Sequence, residues 1–293
     1  METLIRCSTD ELGLEDLKPK SRSLDNLPRI SSSTEQLFSL CGIESRQNLN
    51  SFPQKFLHVR VKAGRHVYLS NDKCEMIYLV YSGFLKNTWA DNNGNEKIID
   101  FPMKGEMVGL DGIAHGKFAN SLKALTDSEL IAIPLDFCRR QNVEGEVFRN
   151  HIISVLSQQL VNEQKSSFII SSLPVDAKVA KFLLSLSFKF KSLGYSEKSF
   201  LLRMSREEIG SYLGVSLETV SRTISGLCTI GVLKKNNRSI EIMNFDALKK
   251  LKRLPMGVTY KATVRRKKAK NPKAYRDVEL EKHPSESIVQ ADG

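Results

Sequence analysis

The chain has 293 residues, of which 41% are hydrophobic, and a formal net charge of +11. That length accommodates about two domains with substantial cores, and no apolar run reaches the roughly 18 residues that a membrane-spanning helix needs. Twelve Lys/Arg and no Asp/Glu fall between Lys249 and Arg276, and removing them from +11 leaves −1, so the basicity belongs to the tail and does not by itself establish a DNA-binding protein.

In chain order, residues 1–40 are polar and lack a sustained period. They read as a flexible N-terminal segment with a short helix at Thr34 to Leu40. The start METLIRCSTDELGLEDLKPK has no basic region followed by an apolar core, so no secretory signal is expected. Cys7, Cys41, Cys74, Cys138 and Cys228 are scattered without a CxxC pair and read as free thiols of a cytoplasmic protein.

Residues 41–146 change to short apolar runs punctuated by Gly64, Gly83, Gly94, Gly105, Gly109, Gly112 and Gly116, the pattern of an antiparallel barrel or roll. Within it, MIYLVYSGFLKNTWADNNGNEKIIDF places two strand-like runs around a turn-rich DNNGN, a hairpin. Residues 147–173 then take a helical period without Gly or Pro. Ile153, Leu156 and Leu160 follow 3-4 spacing, continued by Glu163, Ser167 and Ile170. That narrow stripe is a candidate dimerisation seam, or alternatively a face packed on its own domain. Glu163 on the seam would bring like charges together in a parallel dimer, a brake on association unless it points to solvent.

Pro174 ends that helix, and VDAKVAKFLLSLSFKFKSLG reads as an amphipathic helix closed by Gly194. Next comes MSREEIGSYLGVSLETVSRTISGL, where Ile209, Leu213, Val220 and Ile224 recur at helical spacing around an interior Gly214. A glycine inside one helix would cost about 1 kcal/mol relative to alanine, so two helices joined by a tight turn are the better reading. Ser205 and Glu208 are spaced as a capping box, Gly214 ends the first helix, Val215 plugs the corner and Ser216 caps the second. Gly210 lacks a side chain where the helices approach. The segment VLKKNNRSIEIMNF follows as a short hairpin, so residues 174–247 are expected to form a winged helix-turn-helix. An αα-hairpin would share part of this pattern but not the whole spacing followed by a wing. Residues 248–293 form the basic tail, expected to be disordered.

A helix-turn-helix lays its second helix in the major groove. The outward face here offers Leu217, Glu218, Ser221, Arg222 and Ser225. Arg222 can donate to guanine O6 and N7, and Glu218, one turn away, can accept from cytosine N4. The same two residues could instead form a surface i,i+4 ion pair. Ser205, Arg206, Thr219, Lys234, Lys235 and Arg238 are candidate phosphate contacts, which position without specifying.

The stretches IGSYLGVSLETVSR, FLKNTWADNNGNEKIIDF and KGEMVGLDGIAHG resemble the superfamily of the cyclic-AMP receptor protein and the fumarate-nitrate-reduction regulator, the second branch most closely, from about Leu69 to Leu251. The resemblance implies an α+β fold: an N-terminal β-roll of the cyclic-nucleotide-binding jelly-roll type, a long dimerisation helix and a C-terminal winged helix-turn-helix. It implies a non-enzymatic transcription regulator, expected to be an activator. Such a protein binds a palindromic TTGAT-like site as a homodimer and touches RNA polymerase. The positions matching Glu218, Ser221 and Arg222 read the half-site, the loop Thr88 to Glu96 matches the polymerase-contacting surface, and Glu163 matches an acidic residue that keeps the inactive form monomeric.

Two departures bear on cofactors. Cluster-bearing members hold iron and sulfur with four cysteines, whereas the first 40 residues here contain only Cys7 and the roll position is Ile131 in ELIAIPL. The cyclic-AMP branch follows its GE motif with an Arg-Ser pair that clamps the phosphate. Here Gly105-Glu106 is followed by KFANSL, Lys117 to Leu122, with no guanidinium to compensate a buried phosphate. No iron–sulfur cluster and no cyclic AMP are therefore expected. A constitutive state, an unidentified small ligand in the roll, or dimerisation controlled through Glu163 would each fit.

Three other readings compete: a ligand-controlled repressor of the same superfamily, a non-specific nucleic-acid binder driven by RRKKAKNPK, and a metal-dependent oxygen enzyme in the roll. The last lacks ligands, since His66 has no HxH partner and His58, His115, His151 and His283 are dispersed.

Overall fold

The computed structural model describes residues 31–43, 54–91 and 93–254. The chain enters through β1 (Ser31–Ser33) and α1 (Thr34–Leu40), then builds β2 (Lys55–Val61), β3 (His66–Tyr68), β4 (Met76–Ser82), β5 (Leu85–Ala90), β6 (Glu96–Asp100) and β7 (Met107–Val108). A single 3-10 turn at Leu110–Gly112 leads to β8 (Ser121–Ala124) and β9 (Ser128–Pro134), followed by α2 (Leu135–Arg139), the long α3 (Val143–Ser172) and α4 (Val175–Ser192). The rest is β10 (Ser199–Leu201), α5 (Arg206–Leu213), α6 (Leu217–Thr229), β11 (Leu233–Asn236), β12 (Ser239–Ile242) and α7 (Phe245–Lys250).

Two antiparallel sheets, ordered β1-β2-β9-β4-β7 and β3-β8-β5-β6, make the roll. Their core contains Phe56, Ile77, Leu79, Leu85, Leu122, Leu130, Ile131 and Ile133, all at most 1% exposed. Each such side chain contributes about 1.5–3 kcal/mol by leaving water. The expected hairpin is present as β5 and β6, paired Thr88 to Ile98 and Ala90 to Glu96. The first apolar run is in fact two strands: the chain turns at Gly83, and β4 pairs with β9 in the other sheet.

Residues 31–40 are not a flexible arm. Ser33 closes a capping box with Gln36 at the start of α1, the helix spans Thr34 to Leu40 as read from the sequence, and its Leu37 and Phe38 are 0% and 1% exposed. Phe38 stacks on Phe148 of α3, with centroids 6.1 Å apart, so the roll domain begins at Ser31 or earlier rather than at residue 41. The remainder of the expected flexible segment, residues 1–30, lies outside the described residues. The long helix starts at Val143 rather than 147, because the Asn142 side chain accepts the Gly145 N–H and caps it. At the other end, the expected 247/248 boundary falls inside α7, whose Leu248 is fully buried. Of the expected tail, residues 255–293 lie outside the described residues.

One face of the first half of α3 packs on the roll through Phe148 and Ile152 with Val147 and Val155 beside them, and Gln159 Nε2 donates to the Met107 carbonyl at 3.2 Å. On the faces turned away from it Ile153 (61% exposed), Leu160 (61%) and Phe168 (63%) stand in solvent. The stripe is therefore not a face packed on its own domain. A second core joins α4, α5, α6 and the three-stranded wing sheet β10-β12-β11. It also takes in Ile98, Phe101 and Met103 from the roll. No helix among the described residues is long and apolar enough to cross a membrane.

Candidate nucleic-acid interface

The bend that presents α6 is set by local chemistry. Ser205 Oγ accepts the Glu208 N–H (3.0 Å) and the Ser205 N–H donates to Glu208 Oε2 (2.7 Å), the reciprocal capping box expected from the sequence. Gly214 closes α5 at φ +65°, a conformation that an L side chain adopts only at a cost of roughly 1–2 kcal/mol. A Cβ at Gly210 would lie 2.5 Å from the Val215 carbonyl oxygen, so the tight turn depends on its absence. Ser216 then accepts the Thr219 N–H (3.2 Å) to start α6. Ile209, Leu213, Val220 and Ile224, each at most 1% exposed, lock the two helices together.

That packing fixes which face of α6 is free. Leu217, Glu218 and Arg222 are exposed, and Ser221 and Ser225 are half-buried. The i,i+4 ion pair is not formed: among the described residues neither Glu218 nor Arg222 has a salt-bridge partner. At the start of α6 the Glu218 backbone N–H and the Ser216 hydroxyl hold its carboxyl below the usual range. The Arg222 guanidinium thus projects without an internal partner.

The six candidate phosphate residues divide. Ser205 and Thr219 serve the two helix starts, Thr219 Oγ1 lying 3.0 Å from Ser216 Oγ. Lys234, Lys235 and Arg238 are exposed on the wing, whose Asn236-Asn237 turn carries Asn237 at φ 52°. Arg206 is half-buried, and its Nη1 is a buried nitrogen with no hydrogen-bond partner. Burial makes its charged form costlier, Cys228 opposes this in part, and the nearby Arg238 adds to it by a lesser amount. Arginine nevertheless stays protonated, so Arg206 and Arg238 form an under-compensated positive patch that an anion would relieve.

Residues far apart in sequence complete the setting. Glu208 pairs with Lys86 of β5 at 2.8 Å, both about one-fifth exposed. The Ile98 N–H of β6 donates to Ser211 Oγ at 3.1 Å, and Ser166 of α3 lies 3.2 Å from the Tyr212 hydroxyl. On α4, Lys189 pairs with Glu106 at 2.7 Å. Burial disfavours its charge, but the Asp100 and Glu106 carboxylates hold its ammonium above the usual range. None of these contacts has a local sequence signal.

On α3, Ile153, Leu156 and Leu160 are exposed together with Val161 and Phe168. The C-terminal half bears an open groove lined by Val161, Gln164, Phe168, Ile169 and Leu173 among others. Glu163 is exposed, near Asp100 and Lys97 of the roll rather than in this groove. Loss of hydration and the Asp100 carboxylate raise its pKa, against Lys97. At the β5–β6 hairpin Asp91 accepts the N–H groups of Asn93 (2.8 Å) and Asn95 (2.9 Å), and Trp89 beside it is 48% exposed.

Comparison with known proteins identifies the class these features define. Residues 58–141 match the model of a cyclic nucleotide-binding domain and residues 177–251 that of a Crp-like helix-turn-helix domain. The chain is 36% identical over 193 residues to the transcriptional regulatory protein btr of Bordetella pertussis, covering 66% of this chain and 80% of that protein. It is 28% identical over 191 residues to the fumarate and nitrate reduction regulatory protein of Escherichia coli, covering 65% and 76%. Among solved structures, FixK2 from Bradyrhizobium japonicum shares the fold with a TM-score of 0.58 at 24% identity, covering 66% of this chain and 95% of that one. The chain belongs to the Crp/Fnr family of DNA-binding transcription regulators, and its relatives are not enzymes.

A cyclic-nucleotide domain invites the question of whether a nucleotide fits. The consecutive N–H groups of Ala119 and Asn120 both donate to Asp111 Oδ2, at 2.8 and 3.1 Å. A phosphate there would confront a carboxylate. Glu106 is engaged by Lys189 and by the Met103 N–H, and Phe118 stacks on Tyr68 at 3.8 Å within the core. These residues do not fit a cyclic nucleotide. For an iron–sulfur cluster, Ile131 is fully buried hydrocarbon. Burial pushes Cys41 up to about 12 and Cys74 and Cys138 up to about 11, disfavouring the thiolates a cluster needs. Cys7 and His283 lie outside the described residues.

Proposed function

We propose that this regulator binds a palindromic TTGAT-like operator as a homodimer, with Glu218, Ser221 and Arg222 reading bases. The observation that carries the reading is the α6 face: Arg222 and Glu218 are exposed one turn apart and not paired to each other, on a helix whose other face is fully buried. Four residues of helix rise about 6 Å, which suits side chains reaching neighbouring base pairs. Arg206, Lys234, Lys235 and Arg238 contact phosphates, while Ser205 and Thr219 chiefly cap the helices and offer at most one further hydroxyl donor each.

Ile153, Leu156 and Leu160 form the dimer seam, extended by Val161 and Phe168. Their exposure on one helix supports this, since a soluble monomer rarely leaves such a stripe uncovered. Glu163 opposes association. The hairpin tip from Thr88 to Glu96 contacts RNA polymerase and the protein acts as an activator in the cytoplasm, a reading supported by the exposure of Trp89. Neither cyclic AMP nor an iron–sulfur cluster is used, a reading supported by the Asp111 contacts and by the buried Ile131.

Fluorescence anisotropy with a TTGAT-N4-ATCAA duplex and a scrambled duplex of equal length tests the function. Preferential binding of the palindrome with two protomers per duplex is expected. Equal affinity for both duplexes would overturn it.

A further inference from the structure

The buried residues of α6 are Val220, Thr223, Ile224, Gly226 and Leu227, and Thr223 is the polar one among them. It is 1% exposed. A hydroxyl left without a partner at that depth would destabilise the domain, and a helix offers two ways to satisfy it. Ser225 and Thr229 show the local way: their hydroxyls donate to the carbonyls of Ser221 (2.9 Å) and Ser225 (3.1 Å), one turn earlier. Thr223 takes the other. Its hydroxyl donates out of the helix to Asp176 Oδ1 of α4, at 2.8 Å.

Among the described residues this is the only side-chain hydrogen bond or ion pair that ties α6 to an element outside the helix-turn-helix. The rest of its inner face is held by apolar contacts, which carry no direction. Asp176 is itself fixed. Its backbone lies in the first turn of α4, where Ala177, Val179 and Ala180 are buried and the helix start favours a negative charge. Its second oxygen, Oδ2, accepts the Leu254 N–H at 3.0 Å. The acceptor that Thr223 meets is therefore held in both place and orientation.

Thr223 adjoins Arg222, whose side chain is exposed. At about 6 Å from a helix axis, a rotation of about 10° moves a side chain by about 1 Å. Hydrogen bonds span only about 2.7–3.2 Å, and a recognition site works when its groups are held to about 0.5 Å and 10–20°. Apolar packing alone tolerates a turn of that size, whereas the Thr223–Asp176 bond does not.

We propose that Asp176 is a positioning residue for DNA recognition: through Thr223 it sets the rotation of α6 about its own axis and so fixes where Arg222 meets the bases. This rests on the base-reading assignment above. Asp176 sharpens the choice of sequence without touching DNA and adds no phosphate contact.

The test uses the full chain and four full-length variants: Thr223→Val, which removes the hydroxyl at nearly constant size, Thr223→Ser, which keeps it, Asp176→Ala, and the Asp176→Ala/Thr223→Val pair. Each is equilibrated with a pool of duplexes randomised across the two half-sites, and base preference at every position is read from the bound fraction. Affinity for one scrambled duplex and the melting temperature are recorded in parallel. Thr223→Val and Asp176→Ala should each reduce the preference at the symmetric positions read by Arg222 by about fivefold or more, within the factor of about 5–150 that one bidentate contact supplies. Affinity for the scrambled duplex should stay at the native value. The double variant should be no worse than either single one, because both remove the same bond. Thr223→Ser should retain native preference even where its melting temperature falls. Native preferences in both Thr223→Val and Asp176→Ala, whatever their melting temperatures, would overturn the proposal and leave Asp176 a purely structural part. So would equal weakening on every duplex. A native chain that selects a motif unlike TTGAT would overturn the operator reading alone, since the comparison with the variants still decides this inference. A native chain that selects no motif would overturn both.

Discussion

At the scale of single residues, the recognition surface depends on what the neighbours leave free. Arg222 is exposed and, among the described residues, has no salt-bridge partner. Replacing Arg222 by Ala is expected to cost about 1–3 kcal/mol against the cognate base pair and little against scrambled DNA, measured by anisotropy with operators substituted one base pair at a time. Gly210 makes a different demand. Its missing Cβ would sit 2.5 Å from the Val215 carbonyl oxygen, and that backbone atom can move only by opening the turn. Gly210→Ala should lower stability by about 1–3 kcal/mol, read as a lower urea midpoint at unchanged m-value. An unshifted midpoint would show that the turn yields at little cost.

At the scale of elements, α3 has two faces with different tasks. Phe148 and Ile152 anchor it to the roll, and the exposed stripe is the seam proposed for a second copy. Leu160→Glu should abolish dimers in analytical ultracentrifugation without unfolding the chain, because Leu160 is 61% exposed in the monomer. Glu163→Ala should tighten the dimer. The pH dependence has the same origin. The Glu163 carboxyl already titrates above its ordinary range, and a second Glu163 opposite would raise it further, so dimerisation takes up protons. Association should strengthen as pH falls through that raised carboxylate range and weaken above it, and the effect should vanish in the Ala variant.

The helix-turn-helix was legible because its determinants are local: cap, anchor and turn residues lie within one stretch from Ser205 to Leu227. The order of residues 31–40 was not. The composition reads as polar, and Phe38 is held by Phe148, 110 positions later, a partner that no periodicity announces. The ion pair that spacing also allows between Glu218 and Arg222 is not formed, since spacing sets which side chains can meet and not which do.

At the scale of the whole molecule, α5 joins the roll and the DNA-reading helix. It touches β5 through Lys86 and Glu208, β6 through Ile98 and Ser211, and α3 through Tyr212 and Ser166. Lys86 and Glu208 stand 122 positions apart, so this junction was invisible in the sequence. Burial alone would raise the Glu208 carboxyl, but the Lys86 ammonium and the Ser205 N–H together hold it below the ordinary range. Its contribution to stability is therefore complete above the ordinary carboxylate range and lost as pH falls through the depressed value. Lys86→Ala should cost about 1–3 kcal/mol, between exposed and buried pairs, and should flatten the acid side of a stability–pH profile. A profile identical to the native one would remove the pair from the junction.

The central claim is that the exposed face of α6 chooses the operator. The most direct measurement is a complete base-pair scan of the TTGAT-N4-ATCAA duplex with the native chain and with Arg222→Ala. The account predicts that the variant loses discrimination at one symmetric pair of positions and keeps it elsewhere. Uniform weakening at every position, or an unaltered scan, would contradict it.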